Sequence, residues 1–404
     1  MKAPKKKNKL QKEHLFAIIK VYKGVTFMAN RAFKYRIYPT AGQAVLFAKT
    51  FGCCRKVYNL MLADKISSYE KTGSFGRQTP AQYKKDYPFL KEVDSLALAN
   101  VQLNLQGAIR NCFDSSRKAR NGFPTFKSAK HSRRSYTTNN QNGTIAITDK
   151  GIKLPKAGII RAEIHRRPDP GWKLKLATVY MDRDGKYYVS VLFEYEADIT
   201  PVCRMSTNAI GLDYKSDGLY MDSNGHPAGM HKYYRESHAK LAKEQRRLSR
   251  KTGARKGEKK SNNYIRQQMK VAKIHRHIAN QRLDDLHKRS AEIANQYDIV
   301  CVESLNMRAM SNKSFGDGKA TLDNGYGLFL NLLEYKLADR GRYLVKVDRW
   351  YPSSQLCSCC GRRKTMPLSE RTYSCSCGLV MDRDHNAAVN ILNEGLRLLR
   401  EAVS

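Results

Sequence analysis

The spacing of apolar positions changes several times along the 404-residue chain, and each change marks an expected element. FKYRIYPT (33–40) alternates apolar and polar residues and ends in Pro-Thr, as a strand does when it stops at a helix cap. From Gln43 to Lys71 apolar residues recur every three or four positions, which predicts a helix ending at Gly73. A second helical period covers Ser95 to Arg120, with Asn100, Gln102, Asn104 and Gln106 set among leucines, as a solvated face or a set of base- and sugar-contacting amides. Short strand-like runs then follow Gly122: SYTTNN, GTIAIT, GIKLP, IIRAEIH, KLKLATVYMD and KYYVSVLFEYE. They are separated by Gly and Asn turns, with Asp182-Arg183-Asp184-Gly185 joining the last two, which predicts a small β-barrel with the helices inserted in it.

After Pro201 the pattern becomes α/β. Asn208–Asp213 and Asp298–Glu303 are unbroken apolar runs, as expected of buried strands, and each ends in a carboxylate. Between them lie a hairpin with an Asn224-Gly225 turn and a long, very basic helical region from Tyr233 to Tyr297, broken once by Gly, Lys and Asn. A Gly-rich loop leads to an amphipathic helix (LFLNLLEYKLADRGR, 328–342), a strand (YLVKVDRWYP, 343–352) and a C-terminal helix through HNAAVNIL (385–392).

Charge sharpens this picture. Lys and Arg number 74 against 36 Asp and Glu, a formal net charge of +38. Such an excess, spread along the whole chain, resists compaction unless a polyanion neutralises it, and points to nucleic acid. With 41% hydrophobic residues and 23 Tyr the chain can still build cores, and its length suits two to four domains. Residues 1–27 begin with lysines and hold a short apolar run that Lys20 and Lys23 interrupt. They read as a basic extension upstream of a second candidate start at Met28; with no spanning stretch, a soluble, cytoplasmic protein is expected.

Ten Cys are present, and four fall into two close pairs: Cys357-x-x-Cys360-Gly361 and Cys375-x-Cys377-Gly378. Two turns presenting paired thiolates are what a closed tetrahedral Zn²⁺ site needs, and Cys359 is a competing ligand. Cys53, Cys54, Cys112, Cys203 and Cys301 sit among apolar neighbours and are expected to be buried small hydrophobes. Three acids stand out: Asp213 and Glu303 at strand ends, and Asp384 at a helix start. Each taken singly reads as a cap or a lysine partner. Gathered together they would repel one another unless Mg²⁺ or Mn²⁺ intervened, and such ions serve phosphodiester hydrolysis.

Eleven stretches carry a resemblance to a known family: FKYRIYPT (33–40), GCCRKVYN (52–59), GFPTFKS (122–128), KLP (153–155), GLDYKSDG (211–218), LAKEQRRLSRK (241–251), YDIVCVESLNM (297–307), DNGYG (323–327), LLEYKLADRG (332–341), PSSQLCSCCG (352–361) and DRDHNAAVNI (382–391). In order and over nearly everything after Met28, the chain resembles the TnpB family, transposon-encoded RNA-guided DNA nucleases related to type V CRISPR effectors. The resemblance implies a RuvC-type triad of Asp213, Glu303 and Asp384 on an RNase H-like fold (204–350 and 379–404), with a zinc ribbon inserted at 351–378. It implies a wedge β-barrel (28–45 and 122–203) with a helical recognition insertion (46–121), together holding a guide RNA. Phe75, Ser95, Asn100, Tyr136 and Thr138 are the implied nucleic-acid contacts. The implied activity is RNA-guided cleavage of double-stranded DNA next to a short flanking motif, by one protein per RNA, with guide pairing supplying sequence specificity. A nuclease-inactive RNA-guided repressor is the alternative; such relatives typically lose triad acids, whereas all three are present here. The ribbon departs from the commoner form in its Cys-x-Cys second pair.

Overall fold

The computed structural model describes residues 27–114, 122–203, 205–253, 259–312, 318–367 and 369–401, so the N-terminal extension, apart from Phe27, lies outside the described residues. They divide into two compact units, Met28–Ala197 and the chain from Asp198 onward.

In the first unit, β1 (Phe27–Tyr38) alternates as expected, burying Phe33, Tyr35 and Ile37. Thr40 then starts α1 (Ala41–Thr72) through a reciprocal capping box with Gln43, and Gly73 ends it in the left-handed conformation. One stripe of α1 (Phe47, Phe51, Cys54, Tyr58, Met61) is buried. A short helix, α2 (Tyr83–Asp86), and a 3₁₀ turn lead to α3 (Ser95–Phe113), which Asp94 caps by accepting from the Leu96 N–H at 3.0 Å. Six strands follow: β2 (Arg134–Asn139), β3 (Ala146–Thr148), β4 (Gly151–Leu154), β5 (Gly158–Glu163), β6 (Lys173–Met181) and β7 (Tyr187–Ala197). Among the described residues they join β1 in a seven-stranded sheet of order β2-β6-β7-β1-β5-β4-β3. Both α1 and α3 pack against β2, and their apolar stripes share one core with the sheet.

The second unit is built on a mixed five-stranded sheet of order β10-β9-β8-β11-β12. Its strands are β8 (Ala209–Tyr214), β9 (Tyr220–Asp222), β10 (Pro227–Ala228), β11 (Ile299–Glu303) and β12 (Tyr343–Val347). The meander β8–β9–β10 is antiparallel, whereas β11 runs parallel to both β8 and β12. The basic helical region forms α4 (Tyr233–Ser249) and α5 (Asn262–Gln296). Between β11 and β12 come α6 (Met307–Met310), α7 (Gly318–Asn324) and α8 (Tyr326–Ala338). A two-stranded ribbon, β13 (Thr372–Ser374) and β14 (Val380–Asp382), precedes α9 (Arg383–Glu401).

The apolar run in β11 is buried on both faces, as a central parallel strand should be. Val300 and Val302 join a core with Leu286, Phe329 and Leu333 from α5 and α8, while Ile299 and Cys301 join another with Ile391 and Leu399 of α9. Cys53, Cys54 and Cys301 are buried as expected. Cys112 is half-buried and Cys203 exposed, because Cys203 lies in a turn whose Ser206 N–H donates to its carbonyl. Among the described residues no helix is long and apolar enough to cross a membrane.

Candidate active site and thiol cluster

Parallel pairing sets the first two acids side by side. Val302 of β11 is in register with Leu212 of β8, so the next residue on each strand, Glu303 at the end of β11 and Asp213 one short of the end of β8, stands at the same level. The third acid arrives on α9. The N-cap is Asp382, whose Oδ1 accepts from the N–H groups of Asp384 (2.9 Å) and His385 (3.0 Å). Asp384 is therefore spared that duty and sits in the first turn, where the helix dipole favours its charge.

Two glycines let α9 lie close on the sheet. A Cβ at Gly211 would stand 2.2 Å from the Ala388 carbonyl oxygen, and one at Gly395 would stand 2.3 Å from Cys301 Sγ. Ala388 is one turn past Asp384 and Gly211 two residues before Asp213, so this contact carries Asp384 to the carboxylate ends of β8 and β11.

The electrostatics follow from that placement. Burial, then the charges of Glu303 and Asp384, hold the Asp213 carboxyl well above the usual range. Glu303 is raised to about 7, first by burial and then by Asp348. Asp348 follows β12 directly, beyond Val347, the partner of Glu303 in register, and thus adds a fourth acid to the same sheet edge. Two cations answer this charge: Lys215 Nζ lies 3.8 Å from Asp384 Oδ2, and Arg383 Nη2 lies 3.4 Å from Oδ1. The Tyr326 hydroxyl is buried with no hydrogen-bond partner among the described residues. Burial and then Asp213 and Glu303 disfavour its ionised form. Hard oxygen donors at Asp213 and Glu303, held protonated by burial first and by neighbouring acids second, beside an orphaned buried hydroxyl, suit a divalent cation with bound water.

The four thiols form a tighter set. Gly361 (φ +72°) and Gly378 (φ +94°) turn the chain back after each pair, and their N–H groups donate to the Cys357 and Cys375 carbonyls. Cys357 and Cys377 sulfurs are 3.6 Å apart, as are those of Cys360 and Cys375. A tetrahedron of Zn–S bonds of about 2.3 Å has edges of about 3.8 Å, so the thiols fit zinc. All four ligand atoms lie within 4.8 Å of one another, and among the described residues theirs is the one metal-ligating cluster gathered so closely. The three carboxylates are looser. Cys359 is exposed and outside the set. Cys375 is lowered to about 6, first by the backbone N–H of Cys377 and then by neighbouring thiols. The ribbon is tied to the helix of Asp384: Asn386 Nδ2 donates to the Leu356 carbonyl and Asn390 Nδ2 to those of Ser353 and Leu356, at 2.7–2.8 Å.

The five implied nucleic-acid contacts are not gathered in one place. Asn100 and Tyr136 line a cleft of about 510 Å³ between α1, α3 and β2, together with Asn104, one of the amides the sequence set among leucines, and with Lys127 and Arg133, which the sequence did not single out. Asn100 Nδ2 donates to Leu96 O (2.9 Å) and Asn139 Oδ1 (3.3 Å). Thr138 is fully buried and donates its hydroxyl to the Asp94 carboxylate. Ser95 accepts from Lys84 Nζ at 2.8 Å, and Phe75 stacks on Tyr69 with centroids 4.8 Å apart.

Comparison with known proteins agrees with these features. Residues 28–74 match a family described as a helix-turn-helix domain, 193–314 one described as a probable transposase, and 326–391 the Cas12f1-like TNB domain. The chain is 37% identical over 383 residues to a Streptomyces pristinaespiralis protein named "Putative RNA-guided DNA endonuclease", covering 91% of this chain and 90% of that one. It is 29% identical over 392 residues to the Escherichia coli K12 protein named "Putative RNA-guided DNA endonuclease InsQ", covering 91% and 93%. A mimivirus TnpB-like protein, L79, is 33% identical over 133 residues, 31% of this chain and 25% of its own. Among solved structures, Cas12f1 in complex with sgRNA and target DNA superposes with a TM-score of 0.56 at 13% identity, over 91% of this chain and 99% of that one. The chain is a member of the TnpB family, related to the type V effectors.

Proposed function

We propose that this protein is an RNA-guided DNA endonuclease in which Asp213, Glu303 and Asp384 form the catalytic site. The observation that carries this reading is the meeting of two parallel strand ends with the first turn of α9, supported by the raised Asp213 carboxyl, which burial and then the charges of Glu303 and Asp384 push up. The strand order β10-β9-β8-β11-β12 supports an RNase H-like, RuvC-type fold, and the seven-stranded sheet with α1 and α3 supports a wedge barrel with a helical recognition insertion. Relatives named as RNA-guided endonucleases, and a fold shared with an RNA–DNA complex, support a guide RNA and a double-stranded DNA target. On this reading one protein serves one RNA, in the bacterial cytoplasm. Nothing favours the inactive-repressor alternative, and all three acids such relatives lose are present in the sequence.

Mg²⁺ or Mn²⁺, when bound, supplies Lewis-acid stabilisation to the attacking and leaving oxygens of the phosphodiester. The chain's own part is placement. β8 and β11 fix two oxygen donors side by side, α9 brings the third, and Arg383 orients the Asp384 carboxylate. The four cysteines hold zinc as a structural closure that braces α9 through Asn386 and Asn390. Asn100 and Tyr136 line the cleft proposed to read the flanking motif, while Thr138 supports it from behind through Asp94; Ser95 and Phe75, outside the cleft lining, are proposed as separate nucleic-acid contacts.

The test is cleavage of a plasmid whose target is flanked by a randomised library, using protein co-expressed with the RNA of its own element. Asp213→Ala should lower cleavage about a thousandfold or more while the co-purified RNA is unchanged. Undiminished cleavage by that variant would remove the assigned site.

A further inference from the structure

Lys215 is two residues beyond Asp213, in the turn that joins β8 to β9. Its backbone is pinned. The Gly218 N–H donates to its carbonyl at 3.3 Å, and the buried Asn324 side chain donates to the carbonyls of Lys215 (3.4 Å) and Ser216 (2.7 Å). From this fixed root the side chain reaches the rim of the acid cluster, where Nζ stands 3.8 Å from Asp384 Oδ2. That separation is too long for a hydrogen bond, so the contact is Coulombic alone.

Among the described residues the Lys215 ammonium donates no hydrogen bond. Two buried lysines elsewhere behave differently: Lys65 Nζ donates to Gly76 O at 2.7 Å, and Lys336 Nζ to His287 O and to Ser290 Oγ. Arg383 already serves the other oxygen of Asp384 from a less exposed position (13% against 25% for Lys215). Lys215 is therefore a surplus, partly exposed cation beside Asp384 whose donors make no hydrogen bond among the described residues.

We propose that Lys215 is a further catalytic residue, whose ammonium donates to the non-bridging oxygens of the scissile phosphate; this rests on the endonuclease reading above. In the hydrolysis, a water oxygen forms the new bond to phosphorus as the bond to the leaving sugar oxygen breaks. The water's proton passes to solvent, and the sugar oxygen takes up a proton in turn. Negative charge builds on the non-bridging oxygens, and Lys215 meets it without gaining or losing a proton. A cation aimed where charge develops acts on the rate more than on binding. Were a divalent ion held at Asp384, it would weaken the attraction of that carboxylate for Lys215 and leave the ammonium to serve the phosphate.

The experiment compares Lys215→Ala, Lys215→Met and Lys215→Arg with Asp213→Ala and the unaltered protein, each as the RNA-loaded complex. Single-turnover cleavage, target-DNA affinity and the Mn²⁺ binding midpoint by electron paramagnetic resonance are measured on every variant. Lys215→Ala and Lys215→Met should slow cleavage about a hundredfold with the Mn²⁺ midpoint and DNA affinity unchanged, and Lys215→Arg should recover part of the loss. Full rate in Lys215→Ala beside an inactive Asp213→Ala overturns the role of Lys215 alone. A lowered Mn²⁺ midpoint with the rate retained shows mere charge pairing and overturns it equally. Full rate in Asp213→Ala sinks the site itself.

Discussion

The thiol cluster and the carboxylate cluster lie in the same unit and are built in opposite ways. Four cysteines from one short stretch are brought together by two Gly-closed turns, with sulfurs already near the spacing of a zinc tetrahedron. Three acids come from segments spread over most of the second unit, and only strand register and the approach of α9 unite them. The first site is preset by local chain geometry, and the second inherits its geometry from tertiary packing. The two are nevertheless joined, because Asn386 and Asn390 clamp the cysteine loop to the helix that carries Asp384.

That coupling is best broken at the thiols. Cys360→Ser should abolish zinc binding, which for a structural site is worth about 10–16 kcal/mol and is folding free energy for the ribbon. Zinc content by metal analysis should fall from equimolar to none, and cleavage should drop about 10–100-fold as α9 loses its brace. Normal cleavage without zinc would show the two sites to be independent. A smaller effect is expected from Gly211→Val. Its Cβ has no room beside the Ala388 carbonyl, so the helix must lift from β8, at a cost of about 1–3 kcal/mol. Urea unfolding should report that loss, and Mn²⁺ affinity should weaken in the same variant because Asp384 moves with the helix.

The same contrast explains what the sequence made legible. The cysteine pairs and their glycines could be read directly, since their geometry is local. Asp213 and Glu303 were also legible, because an unbroken apolar run ending in a carboxylate is an unusual pattern. Asp348 repeats that pattern less plainly: β12 is an edge strand, so Lys346 interrupts its apolar run, and the acid after it reads as surface charge. The capping role of Asp382 was hidden because two acids flank Arg383 and only the backbone decides which one accepts the free N–H groups. Thr138 illustrates the opposite failure. Its place in an alternating TTNN run does not reveal which face is inward, and the structure commits its hydroxyl to Asp94 inside the first unit.

The mildest test concerns protons at the carboxylate site, where burial raises acids, whereas in the thiol cluster a backbone N–H lowers Cys375. Glu303 has its pKa raised from 4.5 to about 7 in the folded protein, by burial first and Asp348 second. Between those values the folded state holds a proton that the unfolded chain has released. Stability without Mg²⁺ therefore falls as pH rises from about 4.5 to about 7, and levels off above that window. Burial with the neighbouring Glu303 and Asp384 charges raises Asp213 in the same direction and steepens the fall. Melting temperature measured across this range in Mg²⁺-free buffer should decline, with a shallower slope in Glu303→Gln and an intermediate one in Asp348→Asn. Adding Mg²⁺ should restore stability most at the alkaline end, where the carboxylates are ionised and bind the ion best. An Asp348→Asn profile identical to that of the unaltered protein would show that burial raises Glu303 without help from Asp348, and would leave Asp348 outside the site.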